Sequence, residues 1–296
     1  MRHRVIHPPH PVSTLVRAVV SSFKRPGRVS TLPALTLEMP PIAIQTEHLA
    51  AYAQVCGFEA QSRVPLTYPQ VLTFPLVMAY VTTDCPWPAM GTVHLANAIT
   101  QHHALSVGQA YRVQLTPGDL RAHDKGQVFT LDLSVWRQSD GVCVWQARQT
   151  LLRLGALPAS GTPFQPEVQR HAPLQVCAEF DAPADIGRRY ARVSGDHNPI
   201  HLSTISARCL GFRRAIAHGL WTQARALAVL QPDGVPQAAQ LHTDFKRPLL
   251  LPARAQLAQA PLPDGQTLFE VRDANSDVVH LRSELRVCSP LTGKLS

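Results

Sequence analysis

The feature of this chain that most constrains its fold is a short internal repeat. Residues 52–57 and 190–195 share the pattern Tyr-Ala-x-Val-x-Gly, and their tyrosines lie 138 positions apart. Each segment follows a short stretch of helical character and precedes a long apolar run. Self-similarity of this kind indicates that one supersecondary plan is used twice. A chain of 296 residues is long enough for two domains of ordinary size.

The two apolar runs carry helix signals, and strand-like segments follow both of them. The first run covers residues 68–81 and has Pro69 at the favoured first helical position; the second covers residues 218–230 and stops before Pro232. Alternating segments with strand character follow at 92–100, 110–115, 128–137 and 142–152, and again at 239–246, 253–259, 267–272 and 278–288. Turn signals stand at 117–119, 139–141 and 263–265. A helix followed by antiparallel strands, twice, predicts an α+β fold and not a βαβ layout.

The two copies differ between the repeat and the apolar run. Their offset is 138 residues at the repeat but 150 at the start of the runs, so the first copy is shorter by about a dozen residues. The additional piece of the second copy carries Asp196, Asn198 and His201, and a short predicted helix over residues 203–210. Residues 58–63 stand in its place in the first copy, without a carboxylate–imidazole pair at similar spacing. We therefore expect chemistry only in the second copy.

Composition and charge exclude several classes of protein. Hydrophobic residues make up 45% and charged residues 16%, which is typical of a globular chain, and no apolar run approaches the roughly 18 residues needed to span a bilayer. The six cysteines are scattered without a CxxC pair, so we expect no structural zinc site. We expect the cysteines to be reduced thiols and the protein to be cytoplasmic. No nucleic-acid recognition motif is visible.

The net charge of +8 is concentrated near the start of the sequence. Six basic residues and no acidic residue precede Glu38. This composition has some likeness to an organelle transit peptide, but we expect a mobile basic arm with one short helix near residues 12–24. The positive surface suits a partner that carries negative charge.

The stretch from Asp196 to His201 has the parts needed to add or remove water. It reads Asp-His-Asn-Pro-Ile-His, and the bend expected before Pro199 turns its carboxylate and imidazole toward one point. The cluster His218-Gly219 then begins the second apolar helix, whose N-terminus is able to hold a carbonyl oxygen. The more ordinary interpretation is a local Asx turn and a packed histidine, and it stays open for each residue taken alone.

This motif resembles the signature of the MaoC-like, or hydratase-2, family of (R)-specific enoyl-thioester hydratases and dehydratases. The core D-x-N-P-aliphatic-H is matched without a departure, and Ala207 matches an alanine six positions beyond the last histidine. The resemblance extends from about Phe180 onward. It implies a tandem hot-dog fold, in which each half is a long helix wrapped by an antiparallel β-sheet, and a substrate carried as a thioester.

With that resemblance, the chain divides into four predicted segments: a basic arm over 1–35, a degenerate N-terminal hot-dog domain over 36–156, a linker over 157–168 and a catalytic C-terminal hot-dog domain over 169–296. The two domains are expected to form a pseudo-dimer within the chain, and a homodimer of chains is compatible with this plan. No cofactor is expected beyond the coenzyme A or phosphopantetheine that belongs to the substrate. The pair Lys246-Arg247 is a candidate for contacts with the phosphates of coenzyme A, although a solvated strand end is the commoner meaning.

The expected roles follow the hydration direction. Asp196 draws a proton from the water molecule that attacks C3, and His201 delivers or relays the proton to C2. The backbone N–H of Gly219 stabilises the charge on the thioester oxygen. Asn198 orients the loop and His218 supports the site. We expect no metal ligands, and His94, His102 and His103 are interpreted as structural.

Two other functions remain open from the sequence. A non-catalytic acyl-thioester-binding subunit should lack the acid–base pair in both copies, and the second copy has it. A thioesterase on the same fold needs a carboxylate on the long helix, and residues 220–230 contain no Asp or Glu. The acyl chain length, the choice between coenzyme A and acyl carrier protein, the physiological direction and the pathway are not determined by the sequence.

Overall fold

The computed structural model describes residues 2–7, 11–59, 63–169, 172–234 and 238–288. Parts of three predicted segments lie outside these residues: Met1 and 8–10 of the arm, 60–62 of the segment that replaces the motif, and 170–171, 235–237 and 289–296 of the C-terminal domain. The described helices are α1 (Pro11–Ser21), α2 (Thr46–Cys56), α3 (Pro69–Ala79), α4 (Ile186–Ser194), α5 (Pro199–Leu202), α6 (Thr204–Cys209) and α7 (Gly219–Leu230). A π-helical turn, Tyr80–Asp84, continues α3.

All described strands belong to one sheet. They are β1 (Arg2–Val5), β2 (Leu35–Ala43), β3 (Thr92–Gln101), β4 (Ala110–His123), β5 (Gly126–Arg137), β6 (Cys143–Leu154), β7 (Thr162–Pro163), β8 (Gln175–Ala182), β9 (Ala238–Phe245), β10 (Ala253–Pro261), β11 (Gln266–Asp273) and β12 (Val279–Cys288). Their order is β1-β2-β4-β5-β6-β3-β9-β12-β11-β10-β8, with β7 beside β4. All eight predicted strands and both long helices are present.

The strand order repeats one five-stranded plan twice. The order β2-β4-β5-β6-β3 in the first half corresponds to β8-β10-β11-β12-β9 in the second, and the halves meet where β3 pairs with β9 in antiparallel register, with Ile99 opposite Leu241. The helix α3 packs against β2, β4 and β5, and α7 packs against β12. The predicted α+β architecture of two helices, each wrapped by an antiparallel sheet and joined within one chain, is confirmed.

The repeated hexapeptide forms equivalent helix ends in the two halves. It closes α2 at Gly57 (φ 80°) and α4 at Gly195 (φ 77°), and both glycines have the left-handed conformation that a side chain would strain. The repeat tyrosines, Tyr52 and Tyr190, are buried and their ring centroids lie 6.3 Å apart. The repeat therefore marks the contact between the two halves.

A buried polar network joins the two central helices. Gln223 of α7 accepts hydrogen bonds on Oε1 from Gln70 of α3 (3.1 Å) and from Asn97 of β3 (3.0 Å), and its own amide donates to Thr243 of β9 (2.8 Å). Gln149 of β6 donates to Gln70 (3.2 Å). Because buried amides are destabilising unless they are paired, this network favours one relative placement of the halves.

Three sequence predictions need correction. The strands β2 and β8 were not predicted; Pro40 and Pro41 interrupt β2, whose register shifts between Met39 and Ile42, and β8 ends the sheet with exposed residues. The turn expected at 117–119 is wrong, because β4 continues through it with a register shift opposite β5. There, Asp119 N donates to Thr130 Oγ1 at 2.8 Å.

The N-terminal segment forms regular secondary structure and contacts the first half. The predicted helix near 12–24 is present as α1, and β1 pairs with β2 in parallel, with Arg2 opposite Leu35. Arg4 forms an ion pair with Asp84, and Lys24 Nζ donates to the carbonyl of Cys85 at 2.7 Å. These contacts attach the segment to the first half. Among the described residues, no helix has both the length and the apolar character required to cross a bilayer.

Candidate active site

The loop that carries the motif is built from a helix end, an Asx turn and a helix start. After Gly195, the N–H of Asn198 donates to Asp196 Oδ1 at 3.1 Å, and the side chain of Asn198 caps α5 by accepting from Ile200 N at 3.4 Å. Pro199 occupies the first position of α5. The predicted bend is present, and the role expected for Asn198, to orient the loop, agrees with its contacts. Asp196 thus makes the ordinary Asx turn with Oδ1, and its Oδ2 faces His218 in the site.

Two further contacts fix this loop. The helix α6 is capped by Ser203, which accepts from Ser206 N at 3.1 Å. A Cβ atom at Gly187 of α4 would lie 1.9 Å from the carbonyl oxygen of His201. Only glycine therefore allows α4 to approach the backbone of the motif this closely. The sequence analysis did not identify Gly187.

The ring of His201 is buried and held in one orientation. Its Nδ1 lies 2.8 Å from the carbonyl oxygen of Ile216, and since a carbonyl only accepts, Nδ1 carries the proton. In the neutral ring Nε2 is then an acceptor. Burial lowers the pKa of His201 below its ordinary value, and the nearby Asp196 carboxylate opposes this shift. His201 is therefore neutral near pH 7.

His218 acts as a support for both motif residues. Its Nε2 donates to the backbone carbonyl of Asp196 at 3.0 Å and lies 3.8 Å from Asp196 Oδ2. Its ring stacks on His201 with centroids 3.7 Å apart and packs against Tyr190 at 4.9 Å. Burial, with a smaller contribution from His201, lowers the pKa of His218 to about 3, so this ring is neutral. These are the contacts that a supporting residue would make, and the role of His218 in the reaction stays a prediction.

Asp196 completes the cluster and connects it to solvent. Burial alone would raise its pKa, but the rings of His218 and His201 and the N–H of Asn198 outweigh burial, so the pKa lies below its usual value and the carboxylate is ionised. The side chain of Asp196 is 27% exposed, whereas that of His218 is 3% exposed. The site is therefore accessible to water on its carboxylate side.

The spacing of the cluster fits one water molecule. One donor or acceptor atom from each of Asp196, His201 and His218 lies within 4.8 Å of the others. Two hydrogen bonds of about 2.8 Å that meet near the tetrahedral angle span about 4.6 Å. A single water is thus able to bridge the Asp196 carboxylate and the His201 ring. The three side chains are also of types that bind metal ions, although the chemistry described below requires none.

The N-terminus of α7 borders the site. His218 is its N-cap residue and makes no side-chain capping bond, and Gly219 is its first residue and is partly exposed. A Cβ atom at Gly219 would lie 3.0 Å from the ring of Phe245. Glycine at this position therefore avoids a tight contact with Phe245 of β9 and leaves the helix amides open to a ligand.

His94 of the first half lies beside this site, which the sequence analysis did not anticipate. Its ring contacts Phe245 edge-on with centroids 6.1 Å apart, and its Nε2 is buried without a regular hydrogen bond. Burial lowers the pKa of His94; Gln149 and Asp196 oppose the shift, and His201 adds to it. His94 is brought here because β3 pairs with β9, a contact that no local motif signals. By contrast, His102 and His103 are exposed.

The two basic candidates for phosphate contacts differ. Lys246 Nζ donates to the buried Asp244 at 3.0 Å, so its charge is already paired. Arg247 is exposed at the end of β9. A cleft of about 460 Å³ lined by Lys24, Trp87 and Arg153 lies in the first half, away from Asp196.

A carboxylate and a neutral imidazole spaced for one water, beside an uncapped helix N-terminus, define an acid–base site of the class that adds or removes water. Comparison with known proteins agrees with this class. A family model described as "MaoC like domain" matches residues 160–258. The chain is 36% identical over 280 residues to 3-hydroxyacyl-thioester dehydratase X of Mycobacterium tuberculosis, covering 94% of this chain and 98% of that protein.

Solved structures give the same result for the fold. The crystal structure of HtdX from M. tuberculosis has a TM-score of 0.74 and 35% identity, covering 86% of this chain and all of that one. A second M. tuberculosis protein, described as a double hot-dog, has a TM-score of 0.52 at 13% identity, covering 88% of this chain and 96% of that one, and shows the fold alone. The chain belongs to the MaoC-like dehydratase family, has a double hot-dog fold and is a lyase of the hydratase or dehydratase type.

Proposed function

We propose that this protein interconverts trans-2-enoyl and (R)-3-hydroxyacyl thioesters by adding or removing water. The observation that carries the proposal is the separation of the Asp196 carboxylate and the His201 ring, within 4.8 Å, with Nε2 of His201 left as an acceptor. The name of the M. tuberculosis relative supports the thioester substrate, and the (R) configuration follows from the family resemblance.

The protonation states change one role expected from the sequence: His201, and not Asp196, takes the proton from water. A neutral His201 with Nδ1 bonded to Ile216 has no proton on Nε2 to deliver at the start. In hydration, His201 Nε2 accepts a proton from the bridging water while its oxygen attacks C3, and then returns that proton to C2. Asp196 holds the same water and stabilises the transient imidazolium. Dehydration is the reverse: Nε2 removes the C2 proton and gives it to the departing hydroxyl.

The negative charge that develops on the thioester oxygen needs a hydrogen-bond donor. We assign this role to the N–H of Gly219, at the uncapped start of α7. Such a donor contributes roughly 3–4 kcal/mol to the transition state, and the helix dipole adds to it. His218 supports the arrangement by fixing Asp196 through its backbone.

The substrate handle and the cellular setting are part of the same proposal. The handle is coenzyme A or the phosphopantetheine of an acyl carrier protein, and no other cofactor is required. Arg247 is the better candidate for a phosphate contact, because Lys246 is paired with Asp244. A cytoplasmic location is supported by the five cysteines whose side chains the structure describes, all of which are free thiols. A homodimer is compatible with the described fold.

Two variants test this function. His201→Ala should lower turnover about 10²–10⁴-fold on crotonyl-coenzyme A, measured as loss of enoyl-thioester absorbance. His197→Ala is the matched control, because His197 is exposed and its Nδ1 bonds to the carbonyl of Gly195. Full activity of His201→Ala would refute the mechanism. Thioester hydrolysis without hydration would favour the thioesterase alternative, and binding without either reaction would favour the non-catalytic alternative.

A further inference from the structure

The helix α1 exposes a continuous apolar stripe. Val16, Val19 and Val20 are 56%, 55% and 61% exposed, and Phe23, directly after the helix, is 79% exposed. The spacing i, i+3, i+4, i+7 places these side chains on one face of the helix. Scattered apolar residues are common on protein surfaces, but four that are contiguous mark an interaction surface.

The opposite face of α1 attaches the helix to the protein. Ala18 and Ser21 are buried, and Ser21 Oγ accepts a hydrogen bond from the backbone of Ala89 at 3.1 Å. Lys24 Nζ donates to the carbonyls of Thr83 and Cys85. Because these contacts fix the rotation of α1, the apolar stripe is held outward and does not fold into the core.

The surroundings of the stripe are positively charged. Arg17, Arg25 and Arg28 are exposed, and none of the first 37 residues is acidic. The acidic groups that contact this segment are already engaged, Asp84 with Arg4 and Glu38 with Gln114. The face therefore combines exposed apolar side chains with a basic rim.

We propose that α1 is a membrane-surface anchor that lies in the interface of an anionic bilayer, with Val16, Val19, Val20 and Phe23 inserted among the lipids. An apolar face flanked by arginines is the pattern of interfacial helices, and juxtaposed basic residues add attraction to acidic headgroups. An eleven-residue helix lies on a bilayer and does not span it. A second copy of the chain fits less well, because symmetric pairing of this face would bring the same arginines together.

Vesicle sedimentation tests the anchor. The full chain should bind phosphatidylcholine vesicles that contain phosphatidylglycerol, bind pure phosphatidylcholine much more weakly, and lose affinity as salt is raised. Val20→Asp and Phe23→Ser should each weaken binding to the anionic vesicles at least about tenfold. The matched control is Val176→Asp, a 52% exposed valine on β8 at the other end of the sheet, which should bind like the wild type.

Three outcomes would overturn the anchor. One is no binding of the wild type to anionic vesicles. Another is binding by Val20→Asp and Phe23→Ser that equals the wild type. The third is a dimer in light scattering that Val20→Asp dissociates, which would assign the stripe to a second copy. All variants should keep wild-type activity on a soluble thioester, because α1 lies outside the catalytic cluster, and this shows that they are folded.

Discussion

Replacement of Asp196 by Asn removes the charge of the site with little change in its shape. Asn retains an oxygen to accept the N–H of Asn198, now 3.1 Å from Oδ1, and His218 bonds to the backbone carbonyl of residue 196, which the change leaves intact. The loop should therefore keep its conformation. What is lost is the interaction of the carboxylate with the imidazolium that forms on His201.

The size of that loss follows from the geometry. Unit charges 4.8 Å apart, the outer limit for this cluster, interact by about 3.5 kcal/mol at an effective dielectric of about 20. At 1.36 kcal/mol per decade, this corresponds to a few hundred-fold in rate. The charge-assisted hydrogen bond between the water and the carboxylate is also lost. Asp196→Asn should therefore lower kcat about 10²–10⁴-fold.

The assay is hydration of crotonyl-coenzyme A and of longer enoyl thioesters, with kcat and KM measured separately. Asp181→Asn is the matched control, since it makes the same chemical change at an exposed position of β8 and should leave kcat unchanged. The thermal midpoint of Asp196→Asn should stay close to that of the wild type. A kcat for Asp196→Asn within about threefold of the wild type would refute the reasoning.

Three other predictions concern the same site. The reaction requires an ionised Asp196 and a neutral His201, and the pKa of each lies below its ordinary value. We therefore expect kcat/KM to fall only in acid, below about pH 6.5. A decrease of kcat/KM between about pH 7 and 9 would contradict the proposed roles. His94→Ala should lower kcat/KM by about tenfold, because its buried ring interacts electrostatically with Asp196 and His201. His103→Ala, at an exposed position, should not lower kcat/KM, and equal behaviour of the two variants would make His94 merely structural. Prolonged chelation should leave activity unchanged, and a loss restored by Zn²⁺ would reassign Asp196, His201 and His218 as metal ligands.

The fold was largely predictable because its signals are local and repeated. The hexapeptide ending in Gly57 and Gly195, the long helices and the eight alternating strands all depend on periodicity and turn residues that are visible in one segment. The strands β2 and β8 were missed for a physical reason. β2 pairs with β4 and β8 pairs with β10, in both cases a strand that is distant in the sequence, and the prolines of β2 weaken its strand pattern.

The site was predictable as far as the motif extends. Asp196, Asn198 and His201 converge because an αL glycine, an Asx turn and Pro199 act within a few residues. His94 was not predictable, because it lies about a hundred residues earlier and approaches only through the β3–β9 junction. The tautomer of His201 was equally invisible, since it depends on Ile216, fifteen residues away.

The most direct test of the acid–base assignment is a crystal structure of the active, unliganded enzyme at a resolution that defines ordered water. The assignment predicts one water with its oxygen about 2.6–3.2 Å from both an Asp196 carboxylate oxygen and His201 Nε2. A carboxylate turned away from the ring, or an ordered metal ion held by Asp196, His201 and His218, would contradict it.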